Sequence, residues 1–273
     1  MQYNPHPNRD CKIRGMTMTR RSNMKKKGAD ALSTWKVGDS IDLYGIERWG
    51  KDLFSVTPDG DMELTSGEGA NVNLKSLVDE IHMRGMQLPV VIRFTDILRQ
   101  RIHEIGNAFH KIMKQEGYEG QYRPVYPIKV NQHRHVLEDI ITHGKPYHFG
   151  LECGSKAELL LAIAMHSDPE AIMVCNGFKD RGYVEVALHA RRMGKKIFLV
   201  VEKFRELELI LDVAREIKVE PLLGLRMKLA SRGKGMWESS GGERSKFGLR
   251  SSEILQAIKL LKKKQKLQHL QLL

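Results

Sequence analysis

The sequence predicts an α/β protein built from repeated βα units. Apolar strand-like segments end near Lys129, Glu152, Asn176, Glu202 and Arg226, at intervals of 23, 24, 26 and 24 residues. Amphipathic helical segments fill most of each interval. The run Ser155-Lys156-Ala157-Glu158 has the form of a capping box, which opens a helix and so fixes residues 150–153 as the end of the strand before it. Right-handed βα repeats give either an open doubly wound sheet or a closed eightfold barrel, and both place ligand sites beyond the carboxyl ends of the strands. A polar residue at one strand end is commonly just where the chain meets water. Five at the same periodic position argue for a site.

Ahead of the repeats, WKVGDSIDLYGIERWGKDLFSVTPDGDMEL (35–64) reads as short strands broken by the turn formers Gly-Lys-Asp and Pro-Asp-Gly, a small β-rich leader. TSGEGANVN (65–73) reads as a loop. A helix follows with Leu74, Leu77, Val78 and Ile81 on one side and Gly85 as its stop. LPVVIRF (88–94) is expected to be a buried strand. Thr95 is the expected cap of a helix that presents Leu98, Ile102, Ile105, Phe109 and Ile112 as a face to be buried against a sheet. Gly194 closes a later helix before the strand KKIFLVVE. SRGKGMWESSGGERSKFG (231–248) interrupts the beat as a long loop over the site. A helix from Ser251 into the Lys262-Lys263-Lys264 run leads to LQHLQLL, read as the next strand, and the chain is expected to be a fragment that stops inside it. The domain reading is a basic, disordered leader over 1–30, the β-rich region over 31–88 and an incomplete barrel over 89–273.

Charge narrows the function. The net charge is +12, yet eleven of those charges come from residues 1–30 and 254–273, so the middle is nearly neutral. A nucleic-acid groove needs basic residues spread over a folded face with aromatic readers among them, and that pattern is missing. No apolar run is long enough to cross a bilayer, and the polar text after the twin arginines Arg20-Arg21 lacks an export signal's apolar stretch. A soluble chain with neither nucleic-acid nor membrane partner is expected. Three cysteines without a C-x-x-C pair argue against a disulfide framework or zinc site and fit a reducing cytoplasm. His133 and His135 are expected to face solvent rather than hold a metal.

Lys129 in YPIKVNQ stands at the end of an expected buried strand, where burial would depress its pKa and free its amine to attack an aldehyde. Glu152, Glu158, Asn176 and Arg226 are neighbours able to orient a cofactor or substrate. Dinucleotide, nucleophile-elbow, Walker and His-Glu-x-x-His patterns are all missing.

The ordered strings VYPIKVNQHRHV, LECGSKAELL, VCNGFKDRGY, LVVEK, LGLRMKLASRGKG, WESSGGERSKFG and LQLL resemble the biosynthetic arginine decarboxylases over residues 35–273. The resemblance implies a (β/α)8 barrel of the alanine-racemase-like type, here partial, with pyridoxal 5'-phosphate held as a Schiff base by Lys129. It marks Glu152 and Arg226 as cofactor-side residues and Asn176 as a barrel-lining one, and leaves Glu158 to its capping role. It implies decarboxylation of L-arginine to agmatine in polyamine biosynthesis, magnesium as a second cofactor, and a homo-oligomer in which a second subunit completes the site. The family's ring-stacking histidine, glycine-rich phosphate loop, pyridine-nitrogen acid and catalytic cysteine would lie beyond Leu273, so the chain alone is expected to be inactive and to bind the cofactor poorly. Decarboxylation of ornithine, lysine or diaminopimelate, and a non-catalytic pyridoxal-phosphate carrier, are the competing readings.

Overall fold

The computed structural model describes residues 35–51, 53–65, 71–228 and 245–272. The chain divides into two compact units, residues 1–85 and 86–273.

The first unit opens with helices where strands were expected. α1 (Val37–Tyr44) and α2 (Ile46–Gly50) meet at Gly45, whose φ of +58° ends one helix and starts the other. The Asp39 carboxylate accepts the Lys36 N–H at 2.8 Å, and the Trp35 indole donates to Ser40 Oγ at 2.8 Å. The first bond satisfies the backbone N–H of the cap residue and the second ties the preceding indole to the helix, local bonds that an apolar/polar alternation cannot reveal. β1 (Phe54–Val56) and β2 (Met62–Leu64) then form an antiparallel hairpin around the expected Pro-Asp-Gly turn, with Gly60 at φ +91°. β3 (Val72–Asn73) adds to β2 from the end of the expected loop, and Asn73 caps α3 (Leu74–Met83) by accepting the Ser76 N–H at 3.0 Å.

In the second unit, LPVVIRF is not a strand. It pairs with no other segment among the described residues, and Val91 and Ile92 are exposed. α4 (Thr95–Gln115) starts after Phe94, with Thr95 inside the helix rather than capping it. Its buried face also departs from the expected stripe. Leu98 and Ile102 pack with Val136, Ile140 and Tyr147, while Ile105, Phe109 and Ile112 are about half exposed. Gly106 decides this rotation: a Cβ there would lie 2.3 Å from the Tyr147 ring, so the aromatic side chain takes the space that glycine leaves.

The rest is the βα repeat. β4 (Val125–Pro127), β5 (Gly150–Cys153), β6 (Ile172–Cys175), β7 (Lys196–Val201), β8 (Leu222–Leu225) and β9 (Leu270–Leu272) form one parallel sheet in chain order. A doubly wound sheet reverses its order at a switch point; a barrel does not, and the uninterrupted order of six strands is that of a (β/α)8 barrel. The helices between are α5 (Arg134–Gly144), α6 (Lys156–Met165), α7 (Arg181–Arg192), α8 (Phe204–Ile217) and, before β9, α9 (Ser251–Lys263). Each buries one face on the sheet; α8 does so with Leu207, Ile210, Leu211 and Ala214, the i, i+3, i+4, i+7 spacing of an amphipathic helix. With Leu151, Met173, Ile197, Leu199, Leu223 and Leu225 they form a continuous core, where each large aliphatic side chain contributes about 1.5–3 kcal/mol.

The starts of α6 and α8 share one device. Ser155 Oγ accepts the Glu158 N–H at 3.3 Å, and the Glu158 carboxylate accepts the Gly154 N–H at 2.6 Å, one residue before the cap. Glu206, third residue of α8, reaches back in the same way to the N–H of Glu202 at 2.9 Å. The expected loop 231–248 lies mostly outside the described residues, which resume at Ser245. The leader over 1–30 lies wholly outside them.

Candidate active site

The five strand-end residues fall at the carboxyl edge of the sheet, and four of them line one open cleft of ≈ 750 Å³: Lys129, Glu152, Asn176 and Arg226. Val125, Pro127, Val200, Gly224, Leu225 and Met227 complete its walls. Glu202 lies beneath, its side chain 1% exposed.

Lys129 sits in a single 3-10 turn, Ile128–Val130, directly after β4. Ile128 is fully buried and anchors the turn in the core, which directs Lys129 to the cleft. Nζ lies 3.9 Å from Glu152 Oε1. The expected burial of this lysine is not found: its side chain is 64% exposed. The reason is topological, since β4 is an edge of the six-stranded sheet and has no neighbouring strand on its free side among the described residues.

Glu152 belongs to β5 and is paired in register with Pro127 of β4 and Val174 of β6, so its carboxylate stands between the two neighbouring strand ends. Asn176 Nδ2 donates to its Oε1 at 2.9 Å. Its Oε2 is buried without a hydrogen-bond partner among the described residues. Arg226 follows β8 and is half exposed to the cleft; Nη1 donates to Glu202 Oε1 at 3.1 Å. Glu202 Oε1 also accepts the Gly177 N–H at 3.1 Å, whereas Oε2 has no partner among the described residues. Buried carboxylate oxygens left without donors are costly, and here they lie at and just below the cleft.

Sequence reasoning missed Lys179 and Glu206. Lys179 has no exposed side-chain surface, and its Nζ lies 3.7 Å from Glu206 Oε2. Burial pushes the pKa of Lys179 down, against the opposing pull of Glu206 and Glu202. Only the Phe-Lys-Asp text of a loop marked it in the sequence, with no periodicity to show that it turns inward. His133 and His135 are exposed, with ring centroids 5.5 Å apart. Among the described residues no group of three or more His, Cys, Asp or Glu stands together as a metal site. No helix among the described residues is long and apolar enough to cross a membrane.

The chain is 48% identical over 234 residues to a biosynthetic arginine decarboxylase of Phocaeicola vulgatus, covering 85% of this chain and 37% of that protein. It is 43% identical over 244 residues to one of Gloeobacter violaceus, covering 89% and 38%. The crystal structure of the biosynthetic arginine decarboxylase of Campylobacter jejuni superposes with a TM-score of 0.71 at 36% identity, over 83% of this chain and 36% of that one. The chain thus spans little more than a third of the length of these relatives. A diaminopimelate decarboxylase from M. jannaschii, at 19% identity and TM-score 0.57, shares the fold. Residues 100–273 match the family described as pyridoxal-dependent decarboxylase, pyridoxal binding domain. The chain belongs to the pyridoxal-dependent decarboxylase family.

Proposed function

We propose that this chain is the cofactor-binding part of an enzyme that decarboxylates L-arginine to agmatine, with Lys129 as the residue that carries pyridoxal 5'-phosphate. The observation behind this reading is the Lys129 amine at the carboxyl edge of the sheet, 3.9 Å from the Glu152 carboxylate in a cleft that also presents Arg226. The residues fit the cofactor: an amine for its aldehyde, a cation for an anionic group, and in Glu152 Oε2 a buried acceptor that still lacks a donor.

Covalent attachment requires the uncharged amine, and Glu152, 3.9 Å away, is an acceptor for the proton that Lys129 gives up. Asn176, bonded to Glu152 Oε1, fixes the orientation of that carboxylate. Arg226, held by Glu202, offers its exposed guanidinium edge to an anionic group of cofactor or substrate. When bound, pyridoxal phosphate supplies the electron-accepting ring that takes up the pair released as carbon dioxide leaves. The choice of arginine rests on the names of the relatives, and the homo-oligomer on family likeness. A cytoplasmic location is supported by Cys153 and Cys175, free and buried thiols facing each other across β5 and β6. Residues 31–88 are read as a small separate region ahead of the barrel region 89–273.

The test is reduction with borohydride in the presence of pyridoxal phosphate, followed by peptide mapping. Label concentrated on Lys129 and lost in Lys129→Arg is the expected result; label spread evenly over exposed lysines would overturn the assignment. In the whole protein, carboxyl-labelled arginine should release carbon dioxide ahead of ornithine, lysine and diaminopimelate. Capture at Lys129 without turnover of any of the four would leave a carrier instead.

A further inference from the structure

One carboxylate ties together the two loops beneath the cleft. Glu206, 5% exposed, accepts the Lys179 N–H through Oε1 at 3.1 Å and the Glu202 N–H through Oε2 at 2.9 Å. The Lys179 ammonium lies against the same group, 3.7 Å from Oε2, and donates to the carbonyl of Gly177 at 2.7 Å and to that of Val200. Gly177 in turn donates its N–H to Glu202 Oε1, the atom that receives Arg226 Nη1. The circuit runs from Lys179 and Glu206 through Gly177 and Glu202 to Arg226, a cation that faces the cleft beside Lys129.

Neither Lys179 nor Glu206 lines the cleft. A buried ion pair is a poor source of stability, because desolvation offsets the attraction and apolar side chains of the same volume do as well. What apolar side chains cannot supply is direction: two acceptors aimed at two backbone N–H groups, and an ammonium aimed at two carbonyls. Those directions set where the Glu202 backbone sits, and the Glu202 carboxylate sets where the Arg226 guanidinium points. We propose that Lys179 and Glu206 are positioning residues that hold Arg226 in the cleft, acting through Glu202. The inference rests on the reading of Arg226 as a cofactor-side cation, but its geometry exists without any ligand.

The experiment follows the side-chain N–H signals of arginine in the 15N-labelled, cofactor-free chain, with Arg226 assigned through Arg226→Lys. Arg123, bonded to Gln121 and near Glu170 at the opposite edge of the sheet, is the internal control. In Glu206→Gln the amide group must turn a donor toward one of the two backbone N–H groups it should accept from. Arg226 N–H exchange should then speed up by about tenfold, the protection lost with one charge-assisted hydrogen bond, while Arg123 stays unchanged. Lys179→Met should act in the same direction by freeing Gly177. Unchanged Arg226 exchange in both variants would overturn the proposal. So would parallel loss of protection at Arg123 and Arg226 in both, which would make the pair a general stabiliser. Borohydride capture at Lys129, run on the same samples, separates the two readings: a wild-type chain that leaves Lys129 unlabelled, yet loosens Arg226 in Glu206→Gln, removes the cofactor assignment and keeps the positioning one.

Discussion

At Gly177 the backbone enters the left-handed region with φ +74°, and a Cβ built there would lie 2.2 Å from the carbonyl oxygen of Gly154. The clash is with backbone of the neighbouring strand-end loop, so no rotamer change relieves it. Gly194 also has a positive φ, +90°, but its surroundings are open. The two positions therefore separate torsional strain from steric conflict. Gly194→Ala should cost about 1 kcal/mol in urea unfolding, the ordinary penalty for a side chain in this region. Gly177→Ala should cost about 1–3 kcal/mol more, since the β5 and β6 loops must part to admit the methyl group. Equal losses in the two variants would mean that the loops slide freely and that the close approach at Gly177 is not a constraint.

The start of α6 shows how an element is fixed by side chains around it. Ser155 and Glu158 satisfy the N–H groups of Glu158 and Gly154, two donors that the helix cannot pair internally. Ser155→Ala should lower stability by about 1 kcal/mol in the same unfolding assay, and Ser155→Asp should restore most of it, because either oxygen serves as the cap acceptor. A variant pair with equal stability would show that the cap is solvated rather than used. This start was legible in the sequence because a capping box is a local pattern, as were the strand ends at Lys129, Glu152, Asn176, Glu202 and Arg226, where buried parallel strands read as apolar runs. The illegible parts depend on distant partners or on unpatterned local bonds. α1 and α2 are closed by Asp39, Ser40 and Gly45 in a stretch whose alternation imitates strands. LPVVIRF has a strand's composition but no strand beside it among the described residues, and composition cannot supply the partner. The α4 face was misjudged by its apolar count because a small residue, Gly106, receives the Tyr147 ring. Lys179 was hidden for the same reason: its burial is set by Glu206, 27 residues away.

For the molecule as a whole, the division into residues 1–85 and 86–273 predicts how the chain unfolds. Among the described residues the amino-terminal sheet pairs only within itself, β1 with β2 and β2 with β3, whereas the parallel sheet runs without interruption from β4 to β9 and shares one continuous core with the helices α5 to α9. Every residue proposed for the cofactor, and both positioning residues, belongs to the second unit. Its strands are neighbours in chain order, so each contact closes a loop of one βα unit, the arrangement that lets a unit nucleate and propagate without help from distant sequence. A chain beginning at Met86 should therefore unfold in a single cooperative transition by circular dichroism and should label Lys129 with pyridoxal phosphate and borohydride as selectively as residues 1–273 do. If removal of residues 1–85 instead leaves a non-cooperative melt, the core of the second unit does not suffice by itself. If the melt stays cooperative but selectivity for Lys129 vanishes, the amino-terminal unit takes part in shaping the cleft, and the site cannot be understood from the barrel strands alone.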